Sequence, residues 1–376
     1  MSDFSFRGDG AGGPLPGAGE NDADGESVFS GITDAPSIYS FNSSRDGLAL
    51  LRMIQGRTFN AQNDLYYLPA DTTEFARQEK EHFAHLVGLG RLYVEHENVQ
   101  QILSLVDGEH KRILDLGTGV GSWAIGMANE FPHAEVIGLD LAPNTACANT
   151  LPPNCRLEFD DFNLGLSHYY NSCDLVHCRI VAAGVKDFKW FINEVAKCLK
   201  PGGMLFIIDG DHNLLNSKKE MQDLAYGSGG PGQSWLARAI FEAAITLQKR
   251  GSDFDARMKL YELVSASPYF EGVGEHVYLF PVGPWEKGDT PAEHQQRQII
   301  GILERQSMID AVHSLKPLYI HEGYPAELVE QFLKGTEKEL NELSVHMYTK
   351  WFYSFATRNS VPIQDQNEAP SVETNA

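Results

Sequence analysis

The sequence predicts an α/β fold: a parallel sheet covered on both faces by helices. Three observations carry this. Short apolar runs alternate with amphipathic helical stretches between about residues 112 and 208. A glycine-rich turn joins the first apolar run to the helix after it. Acidic residues stand at the ends of the first three runs, where an open parallel sheet binds its ligand.

The elements follow in order. Arg112–Asp115 predicts the first strand, and Ser122–Glu130 the helix after the glycines. Glu135–Leu139, Arg156–Phe159 and Asp174–Cys178 predict the next three strands. Phe188–Leu199 predicts an amphipathic helix ended by Lys200-Pro-Gly-Gly203, with a fifth strand over Met204–Ile208. Helical patterns then cover Ser234–Lys249 and Phe254–Ser265. Glu275–Leu279 predicts a strand, Ala292–Leu315 and Pro325–Tyr348 helices, and the aromatic run Trp351–Ala356 a last strand. The late strand pair brings the sheet to seven strands, the last antiparallel, with helical insertions at about 212–266 and 290–346.

A helical cap is expected over 44–108, ahead of the core domain at 109–360. Arg45–Ile54 has apolar residues at helical spacing. Asp71-Thr-Thr-Glu74 predicts a capping box, with a helix to about Leu105 broken near Gly88 and Gly90. Residues 1–43 and 361–376 are expected to be disordered tails. The first 30 residues hold one basic residue, Arg7, and too little apolar surface to offset the entropy of ordering.

The chain has 30 basic and 51 acidic residues, a formal net charge of −21. Such a charge repels phosphate backbones and argues against nucleic-acid or anionic-membrane partners. It suits a small neutral or cationic substrate, or a basic protein. Five cysteines without a C-x-x-C pair predict free thiols in a reducing compartment and no metal site. With no signal-peptide pattern and no bilayer-length apolar run, the expected location is intracellular and cytoplasmic.

The strongest motif is Ile113-Leu-Asp-Leu-Gly-Thr-Gly-Val-Gly-Ser-Trp123. Gly117 and Gly119 allow a tight turn and close backbone approach to a ligand, and Gly121 lets the helix pack near the strand. A dinucleotide site reads G-x-G-x-x-G, whereas here the sixth position is Ser122. Asp115 would repel a pyrophosphate and attract an ammonium group, which favours a zwitterionic, phosphate-free cofactor. Asp140, 25 residues beyond Asp115, is placed to accept hydrogen bonds from ribose hydroxyls. Leu141 is an apolar neighbour for adenine. In Phe159-Asp-Asp-Phe162 a carboxylate can accept the adenine amino group while Phe162 packs on the ring. Asp161 is preferred to Asp160, and both stay open.

At these residues the chain resembles the class I S-adenosylmethionine-dependent methyltransferases, with their Rossmann-like seven-stranded fold. More narrowly it resembles the fungal LaeA-like group, from about Asn63 to Arg358. That likeness rests on Tyr66-Tyr-Leu-Pro-Ala-Asp71 with Glu74, Arg77 and His82, the glycine motif, Pro152-Pro-Asn-Cys-Arg156, Asp174-Leu-Val-His-Cys-Arg179 and Phe280-Pro-Val-Gly-Pro-Trp285. The resemblance implies S-adenosylmethionine as cofactor and a role in fungal secondary metabolism. The group holds both biosynthetic tailoring enzymes and nuclear regulators that work with protein partners. The sequence shows no basic nuclear-localisation run, which leans toward the tailoring enzyme, most simply an O-methyltransferase with a small-molecule acceptor. The cofactor set expected from motif and resemblance is Asp115, Gly117, Thr118, Gly119, Gly121, Asp140, Leu141, Asp161, Phe162, Cys178 and Tyr67.

Methyl transfer to oxygen needs in-line positioning and removal of the acceptor proton. Candidates at the strand ends are His177, Arg179 and His212. His177 and Arg179 share one face of the fourth strand; Arg179 could hold an anionic acceptor and His212 act as general base. His177 reads equally as a hydrogen-bonded core residue, and His212 as a solvated loop residue. Tyr66 or Tyr67 could stack over the sulfonium side of the cofactor. The absence of Asn-Pro-Pro-Tyr or Asp-Pro-Pro-Tyr at the fourth strand disfavours nucleobase and glutamine nitrogens as acceptors.

Overall fold

The computed structural model describes residues 50–142 and 151–363. Of the expected tails, 1–43 and the C-terminal stretch from 364 lie outside the described residues, as does the helical reading of Arg45–Ala49.

A hairpin opens the described chain: β1 (Leu51–Ile54) pairs antiparallel with β2 (Arg57–Asn60). The helical reading of Arg45–Ile54 is therefore corrected over Leu51–Ile54. The cause is the two-residue turn, with Gln55 at φ 49° and Gly56 at φ 76°, the left-handed pair that closes tight hairpins. Helix α1 (Thr72–Leu89) starts where the Asp71 side chain accepts from the Glu74 amide at 3.1 Å. The Glu74 side chain turns instead to Arg77 and Ser314, so Asp71 caps the helix without a reciprocal bond. Gly90, at φ 69°, ends α1, and α2 (His96–Ile102) follows.

The core alternates as the sequence predicts: β3 (Lys111–Leu116), α3 (Ser122–Glu130), β4 (Ala134–Asp140), β5 (Cys155–Phe159), β6 (Cys173–Arg179), α4 (Phe188–Cys198) and β7 (Leu199–Gly210). After β7 come the short β8 (Leu215–Asn216), α5 (Trp235–Lys249), α6 (Leu260–Ala266) and β9 (Phe270–Val282). Then α7 (Pro291–His321), α8 (Ala326–Glu342) and β10 (Met347–Arg358) complete the fold. The stretch expected as one helix from Phe254 divides into a 3-10 turn over Phe254–Lys259 and then α6. The helix expected to reach Tyr348 stops at Glu342, because Leu343 turns left-handed at φ 49° and Met347 already pairs in the sheet.

The sheet runs β5-β4-β3-β6-β7-β10, with β9 paired outside β10. The first five strands are parallel, and β10 is antiparallel to both neighbours. This is the seven-stranded Rossmann-like arrangement expected, with β8 as a two-residue addition against β10.

Successive side chains leave a strand on opposite faces. Leu114, Ile137, Val176, Leu205 and Ile207 therefore enter the core beneath α4 and α5. Their neighbours Ile113, Val136, Leu175, Met204 and Phe206 enter a second core with Trp123 and Met127 of α3. Burying each large apolar side chain contributes about 1.5–3 kcal/mol, so both faces are anchored and the carboxyl ends of the strands are held in register. The four described cysteines, Cys155, Cys173, Cys178 and Cys198, are buried. No helix among the described residues is long and apolar enough to cross a membrane.

Candidate active site

A cavity of about 250 Å³ lies at the carboxyl ends of β3, β4, β6 and β7. The glycine loop after β3 and the chain after β6 and β7 line its sheet side. Helices α1, α5 and α7 close over it.

At the end of β3, Asp115 lines the cavity and both its oxygens meet protein donors. Oδ1 lies 2.7 Å from His177 Nδ1, and Oδ2 accepts from Thr118 Oγ1 at 2.7 Å. The His177 ring stacks on Trp123, with centroids 3.7 Å apart and planes 6° from parallel. Burial pushes the His177 pKa down against the pull of Asp115, so the ring stands neutral. His177 thus faces the cavity as a histidine fixed between a carboxylate and an indole. Of the expected catalytic residues, His177 lines the cavity with its Nδ1 engaged by Asp115.

Four loop amides donate within the protein. Gly117 and Thr118 donate to Leu139 O at 2.9 and 3.0 Å, Gly119 to Asp140 Oδ2 at 2.8 Å, and Gly121 to Thr118 O at 2.9 Å. Gly117 (φ 72°) and Gly119 (φ 55°) hold the turn. A Cβ on Gly117 would stand 2.6 Å from Val181 Cγ1, and one on Gly119 2.4 Å from Gln78 Oε1. A pyrophosphate would find two carboxylates here and no free donor among these four amides. A cofactor with an ammonium group and a ribose but no phosphate fits that donor set.

Asp140 accepts from the Ala142 amide at 3.2 Å as well as from Gly119. Burial raises its pKa, and these amides pull it back down. Leu141, Phe162, Tyr66, Ala182, Ala183 and Gly184 also line the cavity, with Gly184 packed against Tyr66 and Phe162.

Four expected cofactor residues do not line the cavity. The Asp161 carboxylate takes Asn63 Nδ2 at 2.6 Å and the Asn163 amide at 3.0 Å, capping a 3-10 turn. It holds the cap segment to the sheet. The Tyr67 ring lies between His321, stacked at 4.9 Å, and Arg250, at 4.4 Å, so Tyr66 takes the inward place. Cys178 points into the core beneath the sheet, where burial raises its thiol pKa. Gly121 caps α3 with a left-handed φ of 81°, where its role is to let the turn enter the helix.

The remaining part of the cavity is chemically different. Ile240, Ala243, Leu247, Phe254, Met308 and Leu315 give it apolar walls. Arg179 lines it and lies 3.1 Å from His82 Nδ1. Burial, then the Arg179 charge, holds the His82 pKa down to about 3, so His82 accepts this hydrogen bond as the neutral ring. His212 also lines it, 4.0 Å from the Asp255 carboxylate. Burial and the Arg257 charge push its pKa down as well. Arg257 itself pairs with Asp209 at 3.4 Å and packs over the Phe254 ring at 3.6 Å.

The sequence reading did not name Gln78, Asp209 or Arg257 as site residues with roles in the cavity. An arginine in an amphipathic stretch reads as a solvated face, and only the packing of Phe254–Lys259 against β7 turns it inward.

Comparison with known proteins decides the family. A methyltransferase-domain family matches residues 91–246. The "Secondary metabolism regulator laeA" of Coprinopsis cinerea is 30% identical over 308 residues, covering 81% of this chain and 73% of that protein. The chain belongs to the LaeA-like methyltransferases. This methyltransferase is also similar to "Methyltransferase pytC" of Aspergillus terreus, 26% identical over 324 residues (83% of this chain, 90% of that protein). It is 25% identical over 302 residues to "Methyltransferase str2" of Strobilurus tenacellus (80% and 98%). It is an S-adenosylmethionine-dependent methyltransferase related to those of fungal secondary metabolism.

Proposed function

We propose that this methyltransferase O-methylates a small, largely apolar molecule of fungal secondary metabolism. The observation that supports this reading is the continuity of the glycine-loop cavity with the apolar chamber under α5 and α7. A phenol, enol or carboxylic acid with a hydrophobic body suits such a chamber. The cofactor supplies an electrophilic methyl group on a sulfonium. Asp115 would hold the ammonium of its methionine part, Asp140 its ribose, and Leu141 and Phe162 its adenine.

The protein's own work is to orient the acceptor, exclude water and take its proton. Neutral His212 at the end of β7 takes the proton from the acceptor hydroxyl as the methyl–oxygen bond forms. Arg179 attracts the developing oxyanion, and His82 fixes the guanidinium in place. The location proposed is the cytoplasm, where a diffusible intermediate is available.

The test is incubation with methyl-labelled cofactor and extracts of the host fungus, followed by separation of protein from small molecules. Label in the small-molecule fraction supports the reading; label in protein alone overturns it.

A second reading is favoured by the Coprinopsis relative, a secondary metabolism regulator: this chain would then regulate secondary metabolism, acting through a protein partner. Co-purification of a stable partner and nuclear fluorescence of a tagged copy would support it, with label carried on protein.

A further inference from the structure

Two buried arginines line the cavity, and they differ in one respect. Arg77 is saturated: Nε and Nη2 meet Glu74, and Nη1 meets Glu81 at 3.0 Å. Arg257 reaches Asp209 through Nη1 alone, at 3.4 Å. Its Nε and Nη2 are buried without a hydrogen-bond partner, and the residue is 7% exposed. Asp209 in turn accepts from the Ala182 and Gly210 amides, so its charge is shared with the backbone.

Nε–H and Nη2–H lie side by side along one edge of a guanidinium. That edge matches the two oxygens of a carboxylate in a bidentate pair. Leaving both donors unpaired in a dry setting is costly, and a protein keeps such a group where something completes it. The Phe254 ring fixes the guanidinium from one face. Ile240, Ala243 and Leu247 of α5 line the same cavity.

We propose that Arg257 is the anchor for a carboxylate carried by an apolar acceptor molecule. This inference rests on the small-molecule reading above and narrows it to hydrophobic acids. Arg257 holds the acid group by its Nε–Nη2 edge while the apolar body lies along α5. The sequence Phe254-Asp-Ala-Arg257 thus gives specificity to a chamber that is otherwise greasy and permissive.

The test uses the full chain saturated with S-adenosylhomocysteine. Straight-chain acids from butanoate to decanoate are titrated by calorimetry beside their primary amides, which keep shape and lose charge. The expected result is that at least one acid binds roughly tenfold or more tightly than its amide, and that Arg257→Lys, a point charge without the two-donor edge, narrows the difference. Lysine keeps the charge for Asp209 but lacks the two-donor edge, so the fold survives; thermal melting verifies this. Arg257→Gln, with stabilisation by S-adenosylhomocysteine retained, should lose acid binding altogether.

The absence of acid preference at every chain length overturns the inference. So does an acid preference that survives Arg257→Lys and Arg257→Gln. Failure of the small-molecule reading is seen separately: the labelled-cofactor experiment would then mark protein alone.

Discussion

Asp115 and His177 are register partners on the adjacent parallel strands β3 and β6, and their side chains meet at 2.7 Å. A carboxylate only accepts, so His177 Nδ1 carries the hydrogen. One end of the cofactor site is therefore fixed by strand pairing rather than by a loop.

His177→Phe keeps the stacking surface for Trp123 but removes the donor to Asp115. Leaving this buried carboxylate with Thr118 as its remaining side-chain donor should cost about 1–3 kcal/mol of stability. Urea denaturation measures it, and an unchanged midpoint would show that the bond contributes nothing.

Asp140→Ala removes the expected ribose acceptor. Affinity for S-adenosylmethionine should fall roughly 10–150-fold, from a loss of about 1.5–3 kcal/mol. The Gly119 amide also loses its 2.8 Å partner, so the loop is loosened at the same time. Calorimetry on wild type and variant reads the change, and equal affinities would remove Asp140 from the site.

Gly119→Ala suffers twice: a left-handed φ of 55° and a Cβ 2.4 Å from Gln78 Oε1. The backbone part alone costs about 1–2 kcal/mol. Adding Gln78→Ala should recover the steric part and leave the backbone part. Melting temperatures of the two single variants and the double variant test this; no recovery in the double variant would mean that Gln78 is not the obstacle.

Glu304 is fully buried, and burial raises its pKa to about 8. The unfolded chain ionises this group near pH 4.5, so between these values the folded state binds the extra proton. Stability therefore falls as pH rises through this window, by about 1.4 kcal/mol per pH unit for one group. Glu304→Gln lacks this loss. Its stability relative to wild type should grow from pH 5 to pH 8 and then level off, as read from urea midpoints. A difference that does not change with pH would show that Glu304 is ionised in the folded protein.

Buried histidines act on the other side of neutrality. Burial lowers the pKa of His82, His85 and His177. The unfolded chain takes up these protons below about pH 6.5 and the folded chain does not. Their contribution to stability should shrink as pH drops below 6.5, opposite in sign to that of Glu304, so the stability difference between His82→Asn and wild type should shift in favour of the variant from pH 7.5 to pH 5.5. A difference between His82→Asn and wild type that does not change with pH would contradict the burial of His82 as a neutral ring.

The central part of the fold was legible because its signals are local and repeated. Ser122–Glu130 was delimited correctly by the glycines before it and Phe131 after it. The β1–β2 hairpin escaped because four-residue strands are too short to show period two, although Gln55-Gly56 offered a turn signal. Of the residues that the motif and its spacing brought forward, Asp115, Gly117, Thr118, Gly119 and Asp140 line the cavity. Arg257 was not brought forward, because nothing in sequence separates a charged residue facing solvent from one turned inward. Asp161 and Tyr67 show the converse: the right segment was identified, but the neighbouring residue or a packing partner settles which side chain faces in.

The N-terminus of α5 is held by α8. Glu339 accepts from Ser234 Oγ at 2.7 Å and from the Trp235 and Leu236 amides at 2.9 and 2.8 Å. These two helices belong to different excursions of the chain, one between β7 and β9 and the other between β9 and β10. Exchange either excursion alone with a relative, and a buried carboxylate faces a helix end it was not shaped for. The two helical excursions are thus matched to each other, while the parallel strands beneath them can stay as they are.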